Sequence, residues 1–93
     1  MIPLDARPRL AAKAKLRFDR HSGHHMLVYP DRGMTLNPSA VAILELCTGE
    51  RSLTEIIDAL HLRASGATRI EVQRDIEAFL QSMHDRTLIR FDP

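Results

Sequence analysis

The chain has little from which to build a disulfide, a metal centre or a membrane anchor. Its 93 residues include one cysteine, Cys47, which excludes an internal disulfide and a zinc site made of thiolates. No apolar run approaches the roughly 20 residues that span a bilayer, and the first residues lack the charged-then-apolar order of a signal peptide. A glycine-rich phosphate loop is also absent from the sequence. We therefore expect a cytoplasmic protein with no membrane segment.

The chain also lacks an excess of charge of either sign. Thirteen basic and 12 acidic residues give a net charge of +1, whereas general binders of nucleic acid or membrane surfaces usually carry a basic excess. Positions 1–33 hold seven basic and three acidic residues, and positions 34–93 hold six and nine. With 44% apolar and 27% charged residues, the composition is that of an ordinary globular protein. The length predicts one small domain over 1–93.

The first third of the sequence has the pattern of a small antiparallel sheet. Alternating apolar and polar residues, or residues that favour β structure, predict three strands: 13–19, 26–29 and 34–36. The first strand would bury Ala14, Leu16 and Phe18 on one face. Turn signals at Ser22-Gly23 and Pro30-Asp31-Arg32-Gly33 separate the strands, the second with its glycine at positive φ. The predicted meander, within about 13–36, places the second strand in the centre and the third at an edge.

The segment from about 38 to 84 has helical patterns. Capping signals followed by apolar residues predict three helices: 39–47, from 53 to about 60, and 69–84. Asn37-Pro38 would start the first helix and Gly49 would close it. A loop is predicted over 61–67, and a short extended tail over 88–91. The predicted fold class is therefore α+β, a three-stranded antiparallel meander followed by three helices, similar to a winged helix.

No set of side chains in the sequence has the spacing of a catalytic or metal site. His21, His24 and His25 fall in a predicted turn, with no acidic residue or cysteine spaced to complete a ligand set. His61 and His84 would lie near helix C-termini, where a partly cationic ring complements the helix dipole. Burial at the end of an apolar helix would raise the pKa of Cys47 and make its thiol inert. We therefore predict neither an enzyme nor a bound metal or cofactor.

Two kinds of binding protein remain. A winged-helix protein would use its third helix to recognise DNA. Residues 69–86 hold three basic and four acidic side chains, and DNA phosphates would repel the resulting net negative charge. A DNA-binding regulator stays as the alternative. The uncharged third strand, Met34-Thr35-Leu36, would instead accept an extended peptide as an additional strand, with the third helix as the wall of a groove.

Several ordered patterns make the sequence resemble a known family. They are Pro8-Arg9-Leu10, Leu27-Val28-Tyr29-Pro30-Asp31-Arg32-Gly33, Leu36-Asn37-Pro38-Ser39-Ala40, Ile43-Leu44, Leu46-Cys47, Gly49, Glu55-Ile56-Ile57, and Val72, Ile76 and Phe79-Leu80 at their spacing. Their order resembles the PqqD family of pyrroloquinoline quinone biosynthesis proteins. The resemblance covers nearly the whole chain.

The resemblance implies a peptide chaperone with no active site of its own. Such a protein binds the precursor peptide of the quinone cofactor and presents it to a radical S-adenosylmethionine enzyme, which crosslinks a glutamate and a tyrosine of that peptide. The peptide is expected to add as a strand beside the third strand and against the third helix. The short link between meander and helices would also allow strand exchange between two protomers, so a swapped homodimer stays open.

The resemblance also implies which residues form the peptide-binding site. On the third strand they are Met34, Thr35, Leu36 and Asn37, although Asn37 also has a role as a helix cap. On the third helix, a helical wheel places four residues along one flank of the apolar stripe, which we expect to face the groove: Arg69, Gln73, Ile76 and Leu80. For Ile76 and Leu80, a place in the core is the alternative.

Overall fold

A computed structural model of the chain describes residues 2–92. Its elements follow in the order β1 (Arg7–Leu10), β2 (Lys15–Asp19), β3 (His24–Tyr29), β4 (Arg32–Leu36), α1 (Pro38–Glu45), α2 (Leu53–Arg63), α3 (Arg69–Asp85) and β5 (Ile89–Asp92). The order confirms the predicted α+β fold, in which a meander precedes three helices. It adds a two-stranded sheet of β1 and β5 that the sequence analysis did not predict.

The meander is antiparallel and has β3 in its centre, as predicted. Its second turn differs from the prediction, because β4 begins at Arg32 and Gly33 lies within the strand. The positive φ falls instead on Asp31, at 70°, directly after Pro30, an order typical of a two-residue turn with proline at its first position. The first turn also ends earlier than predicted, since β3 already begins at His24.

One face of the meander packs on the helices, but its buried part is shorter than predicted. Leu27 is fully buried, and its cross-strand partner Leu16 is partly buried against the core. Phe18 was predicted to be buried and is 55% exposed. It lies near the end of an outer strand, where its ring and the His25 ring pack edge to face with their centroids 5.0 Å apart.

The three helices begin where the capping signals predict. The side-chain oxygen of Asn37 accepts a hydrogen bond from the backbone N–H of Ala40 at 2.8 Å, and Pro38 occupies the first turn. Ser52 and Thr68 each form a complete capping box with the glutamate three residues later. These reciprocal bonds satisfy backbone N–H groups that a helix start leaves unpaired.

Two helix ends differ from the prediction. α1 ends at Glu45 because the next two N–H groups bond to carbonyls three residues back, a tight 3₁₀-type ending, so Cys47 lies beyond the helix. α2 continues through His61 and Leu62 to Arg63, where a loop was predicted. No glycine or proline interrupts this turn, and Leu62 is 88% exposed because it lies on the outer face.

The second sheet joins the two ends of the described chain. β1 and β5 pair in an antiparallel register from Arg7 opposite Asp92 to Leu10 opposite Ile89. The residues predicted as an extended tail thus form a strand. Its partner lies about 80 positions away in the sequence, a distance over which local patterns carry no information.

β1 also contacts the segment between α1 and α2. Gly49 has a φ of +83° and donates its N–H to the carbonyl of Pro8 at 3.0 Å, while Arg9 and Thr48 form an isolated bridge. Gly49 was predicted to close α1. It lies four positions past the last helical residue and instead allows this segment to approach β1 closely, where its positive φ favours glycine.

A single hydrophobic core lies between the meander, the helices and the second sheet. Its members with no exposed surface come from β3, α2 and α3: Leu27, Leu53, Ile56, Ile57 and Leu80. Within residues 2–92, no helix is both long and apolar enough to cross a membrane.

Candidate functional site

The outer edge of β4 carries backbone groups that no strand within residues 2–92 pairs. β4 neighbours β3 on one side only. Tyr29 and Arg32 flank the two-residue turn and are cross-strand partners, so they form a hydrogen-bonded pair. Along an antiparallel strand, successive residues direct their N–H and C=O groups to alternate sides. The amides that face β3 are therefore those of Arg32, Met34 and Leu36. Gly33 and Thr35 direct their N–H and C=O groups outward, where an additional strand would bond to them.

A cleft of about 460 Å³ lies beside this edge, between β4, the start of α1 and one flank of α3. Its lining consists of Met34, Thr35, Leu36, Asn37, Ser39, Ala40, Ile43, Asp75, Phe79, Ser82, Met83 and Arg86. The floor is apolar, because Leu36, Ile43 and Met83 are buried. An open strand edge next to an apolar cleft offers backbone bonds and side-chain contacts to the same extended ligand.

One side chain of α3 and one from the residue that follows the helix stand on the wall of this cleft. The ring of Phe79 is partly buried and packs against the core from the side. Arg86, just after the helix, reaches across to β4, and its Nη1 lies 4.0 Å from Sδ of Met34. These residues and Asp75 lie on one stripe of the helix, because their spacing follows the helical period.

The four residues predicted on β4 and beside it all line the cleft: Met34, Thr35, Leu36 and Asn37. The side chain of Asn37 caps α1, so its amide oxygen is already engaged there. The structure thus brings together the strand half of the predicted site.

The four residues predicted on α3 lie outside the lining of this cleft. Ile76 and Leu80 belong to the core, with 2% and 0% of their surface exposed. Arg69 pairs with Asp58 of α2 at 2.8 Å, and Gln73 lies on the same side of the helix as Arg69. The cleft lies against the other flank of α3, so the expectation that these residues face the groove beside β4 is corrected. As peptide contacts they stay a prediction.

Four residues that line the cleft were not predicted from the sequence: Asp75, Phe79, Ser82 and Arg86. The helical period indicates a core stripe on α3, and both flanks of that stripe carry partly polar residues. The feature of the sequence that could have indicated the cleft side of α3 was Phe79, a large apolar side chain at one border of the stripe. Which border faces β4 depends on how α1 and α2 hold the helix, and this packing is not local.

The histidines and Cys47 are distributed over several elements of the fold. His24 and His25 lie in β3 and not in the predicted turn. Within residues 2–92, no three histidine, cysteine or acidic side chains come close enough to share a metal ion. Cys47 is buried as predicted. Desolvation raises its pKa to about 12, and its thiol donates to the carbonyl of Ile43 at 3.2 Å.

Comparisons with known proteins agree on one family. The family model described as coenzyme PQQ synthesis protein D (PqqD) matches residues 24–89. A PqqA binding protein of Rhodopseudomonas palustris strain HaA2 is 41% identical over 81 residues, which cover 87% of this chain and 78% of the relative. A PqqA binding protein of Methylococcus capsulatus is 31% identical over 83 residues, covering 87% and 84%.

Solved structures share the fold. The solution NMR structure of the PqqD truncation of Methylobacterium extorquens PqqCD, described as a stand-alone recognition element for ribosomally synthesised and modified peptides, has a TM-score of 0.78 at 27% identity and covers 97% and 95% of the two chains. TbiB1, solved with the TbiA(beta) leader peptide, has a TM-score of 0.74 at 19% identity and covers 88% of this chain and 94% of that one, a likeness of fold.

The fold and the cleft define the class, a small α+β domain with an open edge strand beside a helix. Within that class, this chain belongs to the PqqD family, because the family model spans most of its length and relatives reach about 40% identity. The resemblance noted in the sequence is thereby confirmed.

Proposed function

We propose that this chain binds the precursor peptide PqqA as an additional β-strand beside β4, in the cleft against α3. The observation that carries the proposal is the outward backbone of Gly33 and Thr35 next to an apolar cleft. The names of its relatives, which are PqqA binding proteins, support the choice of peptide.

The proposed contacts come from both walls of the cleft. The backbone of Thr35 would exchange hydrogen bonds with the peptide, and apolar peptide side chains would pack on Met34 and Phe79. A partly buried aromatic ring such as Phe79 is the type of residue that dominates binding energy at interfaces. This arrangement keeps the strand residues of the sequence prediction and moves the helix contacts to the flank of α3 that lines the cleft.

The chain would act as a carrier and not as a catalyst. In this proposal it presents the bound peptide in the cytoplasm to a radical S-adenosylmethionine enzyme, which supplies the cofactor and the chemistry. Only Asn37 separates β4 from α1, and such a short link would favour a swapped homodimer. Light scattering of the purified chain, alone and with PqqA, measures its mass and so distinguishes a monomer from a homodimer.

The central experiment compares two substitutions at one position. Thr35→Pro removes the outward N–H and fixes φ, whereas Thr35→Val keeps the backbone donor and approximates the side-chain volume. We expect wild type and Thr35→Val to bind labelled PqqA and Thr35→Pro to lose at least about tenfold in affinity while melting near the wild type. Leu36→Pro should melt early, because its amide bonds to β3. Normal PqqA binding by a folded Thr35→Pro variant would contradict docking at β4.

A titration with duplex DNA tests the alternative regulator. α3 carries more acidic than basic side chains, so we expect no DNA binding at about 150 mM salt. DNA binding that falls steeply with salt, together with no affinity for PqqA, would favour the winged-helix regulator instead.

A further inference from the structure

Arg86 holds hydrogen-bond donors over the cleft without an acidic partner. Arg86 is exposed, and its Nη1 lies 4.0 Å from the thioether Sδ of Met34. A thioether is a weak acceptor, and a guanidinium has five N–H donors. Within residues 2–92, no carboxylate lies within 4.0 Å of Arg86, since the ion pairs are Arg69–Asp58 and Arg90–Asp92. The neighbouring Asp85 accepts a hydrogen bond from Gln81 at 3.0 Å, on another side of the helix.

A second positive charge lies on the same face of β4, just outside the cleft lining. Arg32 lies two residues before Met34 in β4, and residues two apart in a strand share a face. Arg32 is exposed and has no carboxylate within 4.0 Å among residues 2–92. The opposite end of the cleft carries Asp75, which lies near Ser39 at the start of α1. The two charged side chains of the cleft lining, the basic Arg86 and the acidic Asp75, thus lie toward opposite ends.

The direction of the elements fixes which end of a bound strand meets Arg86. Met34 contacts Arg86 after the end of α3, while Pro38 and Ser39, just after β4, line an adjoining cavity with Asp75, so β4 and α3 run in opposite directions. An antiparallel strand added to β4 then runs with α3 and has its C-terminal end at Arg86. From Asp75 to Arg86 the helix rises about 16 Å, which corresponds to roughly five residues of strand.

We propose that Arg86 binds a carboxylate of the peptide. This carboxylate belongs to a residue near the C-terminal end of the added strand, about five residues after the peptide residue that lies beside Asp75. This inference rests on the proposed docking at β4 and adds the chemistry of the ligand. A peptide carboxylate would receive charge-assisted hydrogen bonds from Arg86. The same carboxylate placed at the other end would face Asp75 and be repelled, so the charges fix the register of the peptide.

The test pairs a protein substitution with a scan of the peptide. Arg86→Gln removes the charge but keeps a donor, and Arg74→Gln is the matched control because Arg74 is exposed on another face of α3, outside the cleft lining. Each Asp or Glu of PqqA is replaced singly by its amide, and affinities are measured for wild type and both variants. We expect Arg86→Gln to lose about fivefold in affinity, and Arg74→Gln to stay within about 1.5-fold.

The peptide scan identifies the carboxylate. One replacement in the peptide should weaken binding to the wild-type protein by the same factor as Arg86→Gln does, and should leave binding to the Arg86→Gln variant unchanged. In the reversed pair, the Arg86→Glu variant should regain affinity when that peptide residue is changed to Lys. The inference is overturned if Arg86→Gln binds PqqA like wild type, or if no peptide carboxylate is coupled to it. Thr35→Pro separates the two proposals: if it abolishes binding while Arg86→Gln does not, docking at β4 stands and the charge recognition fails.

Discussion

The imidazole of His84 stacks on the ring of Phe91, with the ring centroids 4.8 Å apart and the planes 22° from parallel. The contact ties the last turn of α3 to β5. We expect a double-mutant cycle of His84→Ala and Phe91→Leu, measured by urea unfolding, to give a coupling of about 0.5–1 kcal/mol. The pair Phe18–His25, in which Phe18 is mostly exposed, should couple less. Additive effects at His84 and Phe91 would show that the stack does not hold the helix end.

Phe79 should carry a large share of peptide affinity. Phe79→Ala removes the largest apolar side chain on the helix wall of the cleft, and we expect PqqA binding to weaken about tenfold. The measurement is a titration at a temperature where thermal melts show the variant folded. Phe18→Ala is the control, because that ring is exposed on β2 away from the cleft. Equal effects of both substitutions would argue against Phe79 as a peptide contact.

Gly49 and Gly66 share a φ of +83° and differ in their surroundings. A Cβ at position 49 would lie 3.3 Å from Cδ of Arg9, whereas nothing lies within 4 Å of one at position 66. Gly66→Ala should cost about 1 kcal/mol through the left-handed conformation alone. Gly49→Ala should cost more, because the Arg9 side chain must also move away. Equal losses of unfolding free energy would mean that this side chain adjusts freely.

The capping box of α2 should make stability depend on pH. Hydrogen bonds from the backbone N–H and then the side chain of Ser52 hold the pKa of Glu55 below its ordinary value of 4.5. Because the folded pKa is lower than the unfolded one, this stabilisation is present above the unfolded pKa and is lost as the pH falls through the folded pKa. The difference in unfolding free energy between wild type and Glu55→Gln should therefore shrink below about pH 4.5. A difference that stays constant from about pH 7 to 3 would contradict this prediction.

Local patterns predict the elements whose signals are contained in a few neighbouring residues. Asn37, Ser52 and Thr68 mark the helix starts because each cap bonds to an amide three residues later. β1 escapes prediction, because its four residues pair with β5 at the far end of the chain and with Thr48. Pro8 further hides the strand, since proline is unfavourable in most strands.

The same distinction explains the candidate site. Thr35 can be placed on an open edge from turn positions and strand order alone, because both are local features of the meander. The side of α3 that meets β4 depends on contacts of Ile76 and Leu80 with the rest of the core. A helical wheel gives the buried stripe of α3, but it contains no information about which neighbour lies on either side.

The antiparallel pairing of β1 and β5 has a mechanical consequence. Arg7 and Asp92 are partners at one end of the ladder, so force applied to these two residues loads the backbone bonds one pair at a time, as a zipper opens. Such a ladder resists pulling weakly, whereas strands drawn along their length share the load among all their bonds. Tension on Arg7 and Asp92 would thus release β5, the strand to which the Phe91 ring belongs.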